Sequence, residues 1–196
     1  MNYLELSKEN VKDESNRLAE KVKLDFKPEI IIFVAKGAFY IGDEISKYFQ
    51  IPLVEIKAQR KKGILKKIAL PFINFLPQKI KQKLREFEVN SNMYNKNFER
   101  NISMKEEDLK RLLKYKKVLL VDDSIDTGNT IFQILKFLEK YKLEIEIATL
   151  NILTEAKEKV KVKYYNYENF LLNGPWSNDS KYNKFFLEDY RKWRKN

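Results

Sequence analysis

The 196 residues include no cysteine and no histidine, which excludes Cys and His nucleophiles, Ser-His-Asp triads, zinc fingers and His-ligated metals. Any chemistry falls to carboxylates, lysines, hydroxyls and a hard cation. The net charge of +11 is local, because ten basic and no acidic residues lie between Lys57 and Arg85, leaving +1 for the rest of the chain.

Ser7 to Val22 predicts a helix capped by Ser7, with apolar positions at Val11, Leu18 and Val22. Glu29 to Ala35 is a continuous apolar, β-branched run, as in a strand buried on both faces. Within it, Ile30 to Ala35 is the longest apolar run, far short of the ~20 residues of a membrane span. The N-terminus also lacks a basic segment leading into an apolar one, so a cytoplasmic protein is expected. After the break at Lys36-Gly37, Phe39 to Phe49 has helical spacing, and Pro52 to Ala58 alternates as a strand.

Residues 59 to 102 are too long for an ordinary connection and read as an insertion. Leu65, Ile68, Ala69, Phe72, Ile73, Leu76, Ile80, Leu84 and Phe87 recur in it at helical spacing among lysines, broken by Pro71 and Pro77. Basic amphipathic helices of this kind suit a membrane surface, with residues 62–86 as the contact. An apolar face packed on the domain or on a second copy in a homodimer fits the same pattern, as does nucleic acid.

Ser103 and Glu106 have capping-box spacing for a helix through Leu113. Lys117 to Asp122 predicts a buried strand, Asp123 to Thr127 a loop, and Gly128 to Tyr141 an amphipathic helix. Strands follow at Glu144 to Leu153 and Val160 to Tyr167. Phe185, Phe186, Tyr190 and Trp193 predict a closing helix. Strands alternating with helices imply a mainly parallel α/β sheet with helices on both faces, whose ligands bind beyond the carboxyl ends of the strands.

Two loops leave such ends. In the second, Val118-Leu119-Leu120-Val121-Asp122-Asp123-Ser124-Ile125-Asp126-Thr127-Gly128-Asn129-Thr130, a strand delivers paired carboxylates and a hydroxyl-rich turn opens a helix. Backbone N–H groups there, with Thr127 and Thr130, form a cradle for a phosphate monoester. Asp122 and Asp123 suit sugar hydroxyls or Mg²⁺. The pair describes a sugar phosphate site, although taken singly the same residues also fit a strand end and a helix cap.

The whole string resembles the phosphoribosyl pyrophosphate (PRPP) signature of type I phosphoribosyltransferases and fits it at every position. Ile31-Ile32-Phe33-Val34-Ala35-Lys36-Gly37-Ala38-Phe39 resembles the family's pyrophosphate loop, in the Lys-Gly form of hypoxanthine-guanine enzymes. The resemblance implies one phosphoribosyltransferase domain over 1–196, with 59–102 as a lid insertion and 168–196 as an acceptor-side loop and helix. It implies that Asp122 and Asp123 hold the ribose diol and Mg²⁺, that Asp126, Thr127, Gly128, Asn129 and Thr130 bind the 5-phosphate, and that Ala35, Lys36 and Gly37 bind pyrophosphate. Asp126 matches an aspartate near the nucleophilic atom and is the candidate general base. Lys36 and Mg²⁺ would stabilise the leaving group.

Purine-salvage members usually carry a lysine at the end of the strand after the PRPP motif. Here that stretch reads Ala148-Thr149-Leu150-Asn151-Ile152-Leu153-Thr154, with no lysine before Lys157, and Asn151 or Thr154 would have to substitute. Asn173-Gly174-Pro175-Trp176 resembles the Pro-Trp of the base pocket in xanthine-guanine enzymes, which makes Trp176 the candidate acceptor-binding residue, to stack on a purine or a sugar face. With the basic insert, this combination suggests a lipid-linked glycan acceptor at the inner face of the cytoplasmic membrane. It also resembles enzymes of surface-polysaccharide assembly that place a 5-phosphoribosyl group on a glycan, after which a phosphatase leaves ribofuranose. Purine salvage, with a nucleobase acceptor, is the alternative. A non-catalytic PRPP sensor acting on nucleic acid is a third reading, against which stands the lack of an added DNA-binding domain.

Overall fold

The computed structural model describes residues 2–60 and 100–195. The expected membrane-facing stretch at 62–86 lies outside them. In chain order the elements are β1 (Asn2–Glu5), α1 (Lys8–Lys23), β2 (Ile30–Ala35), α2 (Phe39–Phe49), β3 (Leu53–Arg60), β4 (Arg100–Ser103) and α3 (Glu106–Leu112). They continue with β5 (Lys117–Ile125), α4 (Asn129–Leu138), β6 (Glu144–Ile152), β7 (Tyr164–Glu168), β8 (Phe170–Asn173) and α5 (Asn183–Trp193). No helix among the described residues is long and apolar enough to cross a membrane.

Six strands form one sheet in the order β4-β3-β2-β5-β6-β7, all parallel except β4, which runs antiparallel to β3. From β2 the chain moves outward to β3, and from β5 it moves outward the other way to β6 and β7. The carboxyl ends of β2 and β5 therefore flank a topological switch point, where connections diverge and leave a crevice.

Both faces of the sheet are covered. Ile31 and Phe33 of β2 and Leu119 and Val121 of β5 pack with α1, α2 and α5 through Val11, Leu18, Phe39, Ile41 and Phe186. Ile30, Ile32, Val118 and Leu120 point the other way, onto Leu112 of α3 and Ile131, Ile134 and Leu138 of α4. The unbroken apolar runs of β2 and β5 follow from this two-sided burial. Ser7 caps α1 as expected: its Oγ accepts from Asn10 N at 3.2 Å, and Asn10 Oδ1 accepts from Ser7 N at 3.0 Å.

Several expectations are corrected. Ser103 does not cap a helix; it pairs with Lys57 in the β3–β4 ladder, and α3 begins at Glu106, where Glu106, Glu107 and Asp108 put negative charge at the helix N-terminus. Gln59, Arg60 and residues 100–102, read as part of the insertion, are strand. β5 continues through Asp123 and Ser124 to Ile125, because the equally long β6 keeps pairing with it as far as Ile125↔Ile152. The last central strand covers only Tyr164–Glu168. The sequence reading did not anticipate β1 and β8, which pair in parallel as a separate two-stranded sheet.

Candidate active site

β2 ends in Ala35, and the chain turns through Lys36 and Gly37 into α2. The Ala35–Lys36 peptide is cis. A Cβ on Gly37 would lie 2.3 Å from Asp123 Oδ1 and 2.7 Å from its Cγ. The Lys-Gly turn and the second carboxylate of β5 thus meet across the switch point, at a contact only glycine permits.

Asp122 is 6% exposed and accepts from Asp123 N at 3.0 Å. Burial pushes its carboxyl well above the usual range; the Asp123 charge adds to this, while Arg100 pulls the other way. Asp123 is pushed up to about 6, first by burial and further by Asp126. Such a pair is poorly stabilised as two bare anions, so hydroxyl donors or a hard cation suit it.

From Ile125 the chain passes to Gly128, which sits in the left-handed region at φ 69° as the residue before α4. A small cleft is lined by Asp122, Ser124, Ile125, Asp126, Thr127, Gly128, Thr130 and Ile131, and, from β4, by Arg100. Thr127 Oγ1 accepts from Asn129 N at 3.5 Å, a long contact. The Asn129 side chain turns to the Lys159 ammonium. Asp126 Oδ1 accepts from Ser124 Oγ at 3.0 Å, and Ser124 Oγ in turn accepts from Asn151 Nδ2 at 3.0 Å. Asn151, fully buried, also holds the Phe170 backbone through Nδ2 to its carbonyl at 3.0 Å and Oδ1 to its N–H at 3.1 Å. A rigid relay from β8 through β6 therefore fixes the Asp126 carboxylate.

Lys36, next to Gly37, is an exposed residue. Partial desolvation of its ammonium, with the nearby Arg191 charge, lowers its pKa. Two cations close enough to feel one another, one of them in the turn after β2, suit a polyanion.

The structure thus brings Asp122, Asp126, Thr127, Gly128 and Thr130 to one cleft, with Asp123 and Gly37 beside it. It places Trp176 elsewhere: 9% exposed, the ring packs over Gly174 and belongs to the apolar cluster with Phe39, Tyr40 and Phe186. Lys157 is engaged by Glu168 at 2.7 Å, and Thr154 Oγ1 lies within hydrogen-bonding distance of Glu168 and Asn169. Arg100, Arg191 and the Ser124–Asn151 relay were not anticipated. Ser124 lay inside the motif, but nothing local marks Arg100, whose place depends on β4 pairing back onto β3. Among the described residues no group of three or more carboxylates stands ready for a metal. The carboxylates that stand together are the Asp122–Asp123 pair.

Comparison with known proteins agrees with this fold. A family model described as the phosphoribosyl transferase domain matches residues 3–183. A purine phosphoribosyltransferase from Pyrococcus horikoshii superposes with a TM-score of 0.61 at 23% identity, over 91% of this chain and 96% of that one. The xanthine-guanine-hypoxanthine phosphoribosyltransferase of Helicobacter pylori gives 0.58 at 17%, over 97% and 99%. A hypothetical protein from Neisseria gonorrhoeae with bound ppGpp gives 0.61 at 16%, over 96% and 97%. No curated protein sequence matches.

Proposed function

The chain belongs to the phosphoribosyl transferase family, and from that premise we propose how a PRPP-dependent transferase of this build uses its site. The observation that carries the proposal is the meeting of the Lys36-Gly37 turn with the Asp122–Asp123 pair, next to the cleft of the 126–130 loop. Asp122 and Asp123 accept from the ribose 2- and 3-hydroxyls. Asp126 to Thr130 cradle the 5-phosphate with backbone N–H groups and the Thr127 and Thr130 hydroxyls. Ala35, Lys36 and Gly37 hold the pyrophosphate.

An oxygen-only pair of carboxylates, raised in pKa by burial, fits Mg²⁺, which is commonly held by one or two carboxylates plus substrate phosphates. Asp122 and Asp123 would hold it, and the ion would supply charge neutralisation at the leaving pyrophosphate. Lys36 adds to that neutralisation from the protein. As the bond from C1 to pyrophosphate breaks, positive charge develops on the sugar, and the acceptor oxygen bonds to C1. Asp126, fixed through Ser124, takes the acceptor's proton as general base.

The acceptor we propose is a hydroxyl of a lipid-linked glycan, in ribofuranose-containing surface-polysaccharide synthesis on the cytoplasmic side of the membrane. A phosphatase would then act on the product. The polar side chains at and beyond the end of β6 support this choice: Asn151 is bonded to Ser124 and Phe170, Thr154 to Asn169, and Lys157 to Glu168, rather than presented to a base. A second reading, transfer to a purine base, is favoured by the near full-length likeness to purine enzymes from P. horikoshii and H. pylori. Purified protein with PRPP and Mg²⁺, offered guanine, xanthine or hypoxanthine and separately a lipid-linked glycan, decides between them. Glycan labelling with no nucleotide is expected. Nucleotide formation at roughly 1–10³ s⁻¹ would replace the glycan reading with the purine one.

A further inference from the structure

The cleft proposed above for the 5-phosphate contains a charge problem. A phosphate monoester carries about −1.5 to −2 at neutral pH, and both Asp122 and Asp126 line the same small cleft. Like charges at such separations repel strongly where water is thinned. Backbone N–H dipoles and two hydroxyls offset a monoanion more readily than a dianion flanked by carboxylates. Among the described residues, Arg100 is the only cationic residue lining the cleft.

Arg100 reaches it from outside the motif. As the first residue of β4 it is held in register opposite Arg60, and its N–H donates to Gln133 Oε1 at 2.6 Å. Gln133 belongs to α4, the helix whose N-terminal turn is the phosphate loop. One guanidinium nitrogen lies 3.4 Å from the Ala58 carbonyl, and the side chain lines the cleft beside Asp122 and Asp126. Its charge acts on Asp122, drawing that carboxyl down against the effect of burial. A guanidinium is planar and presents a fork of donors that matches two phosphate oxygens at once, with a charge that does not titrate.

We propose that Arg100 is a 5-phosphate ligand of the donor, and that it sets the preference for a 5-phosphorylated ribosyl donor over the same donor with a free 5-hydroxyl. This rests on the assignment of the 126–130 loop to the 5-phosphate. It adds a ligand from a different strand, fixed to the same helix through Gln133.

The test compares two ligands in the presence of Mg²⁺: PRPP, and ribose 1-diphosphate, which keeps the ribose and pyrophosphate but ends in a 5-hydroxyl. Binding to the full chain is measured by calorimetry for wild type, Arg100→Gln and Arg100→Lys. Arg100→Gln is expected to weaken PRPP about ten- to a hundred-fold, the range of a lost charged hydrogen bond, and to leave ribose 1-diphosphate within about twofold. Arg100→Lys, which keeps the charge without the fork, is expected to lie between wild type and Arg100→Gln for PRPP, and it serves if the Gln variant does not fold. Equal weakening of both ligands would mean that Arg100 acts through Asp122 or the fold, and would overturn the proposal. So would PRPP binding unchanged in both variants. If wild type binds PRPP no more tightly than ribose 1-diphosphate, the 5-phosphate loop assignment itself fails, a result separable from failure at Arg100.

Discussion

In the proposed site, Asp122 and Asp123 would serve the substrate at the expense of the empty protein. Burial raises both carboxyls, so between the ordinary carboxylate range and about 6 the folded state binds more protons than the unfolded one. The contribution of this pair to stability is therefore present at low pH and is lost as pH rises through their folded values. Asp122→Asn with Asp123→Asn should raise the midpoint of thermal unfolding at pH 7.5, by about 2–8 °C, and shrink the gain at pH 5. The same double variant should abolish PRPP binding, and tight binding retained in calorimetry would refute their role on the ribose. Asp126→Ala should leave PRPP affinity within a few-fold and lower kcat by about 10²–10⁴. Ser124→Ala, which removes one hydrogen bond from the Asp126 carboxylate, should lower kcat less and leave KM for PRPP near wild type. An unaltered kcat in both would remove Asp126 as the base. These carboxylates were legible because all three sit in one contiguous motif. Arg100 was not, since it comes to the cleft through a strand pairing that no local pattern encodes.

Helix and strand positions followed from the sequence wherever an element buries a face of its own. Phe39–Phe49 was read to its last residue, and the two-sided burial of β2 showed in its unbroken apolar run. Where pairing decides, the reading fell short: β1 and β8 are four residues each and become strands only by finding one another, and Ser103 has a cap's chemistry but a strand's partner. The turn after β2 gives the sharpest test at this scale. Gly37→Ala places a methyl against the Asp123 carboxylate, so either the turn or the β5 end must move. A shift of about 1 Å at a reacting centre can lower turnover about 10²-fold, and we expect that loss with the fold intact by circular dichroism. Ser7→Ala makes the contrast, because loss of the α1 cap should lower stability by about 1 kcal/mol and leave kcat unchanged.

At the level of the whole molecule, charge and chemistry lie in different parts of the chain. The cationic segment from Lys57 to Arg85 accounts for nearly all of the net +11, while the described cleft sets carboxylates and hydroxyls around a single cation, Arg100. If the segment serves a membrane surface, sedimentation with vesicles containing anionic lipid should be strong for the full chain, weaken with added salt, and vanish on deletion of residues 62–86. Binding that survives the deletion would remove this reading. The β3–β4 pairing makes that deletion practical. Arg60 and Arg100 face one another in an antiparallel ladder, so the chain leaves and re-enters the sheet at one doorway, and a short turn could join the two strands directly. Anything spliced between them can grow, shrink or change character over generations without re-registering a single strand of the catalytic sheet. The proposed donor site can then stay fixed while the sequence joined at this port varies.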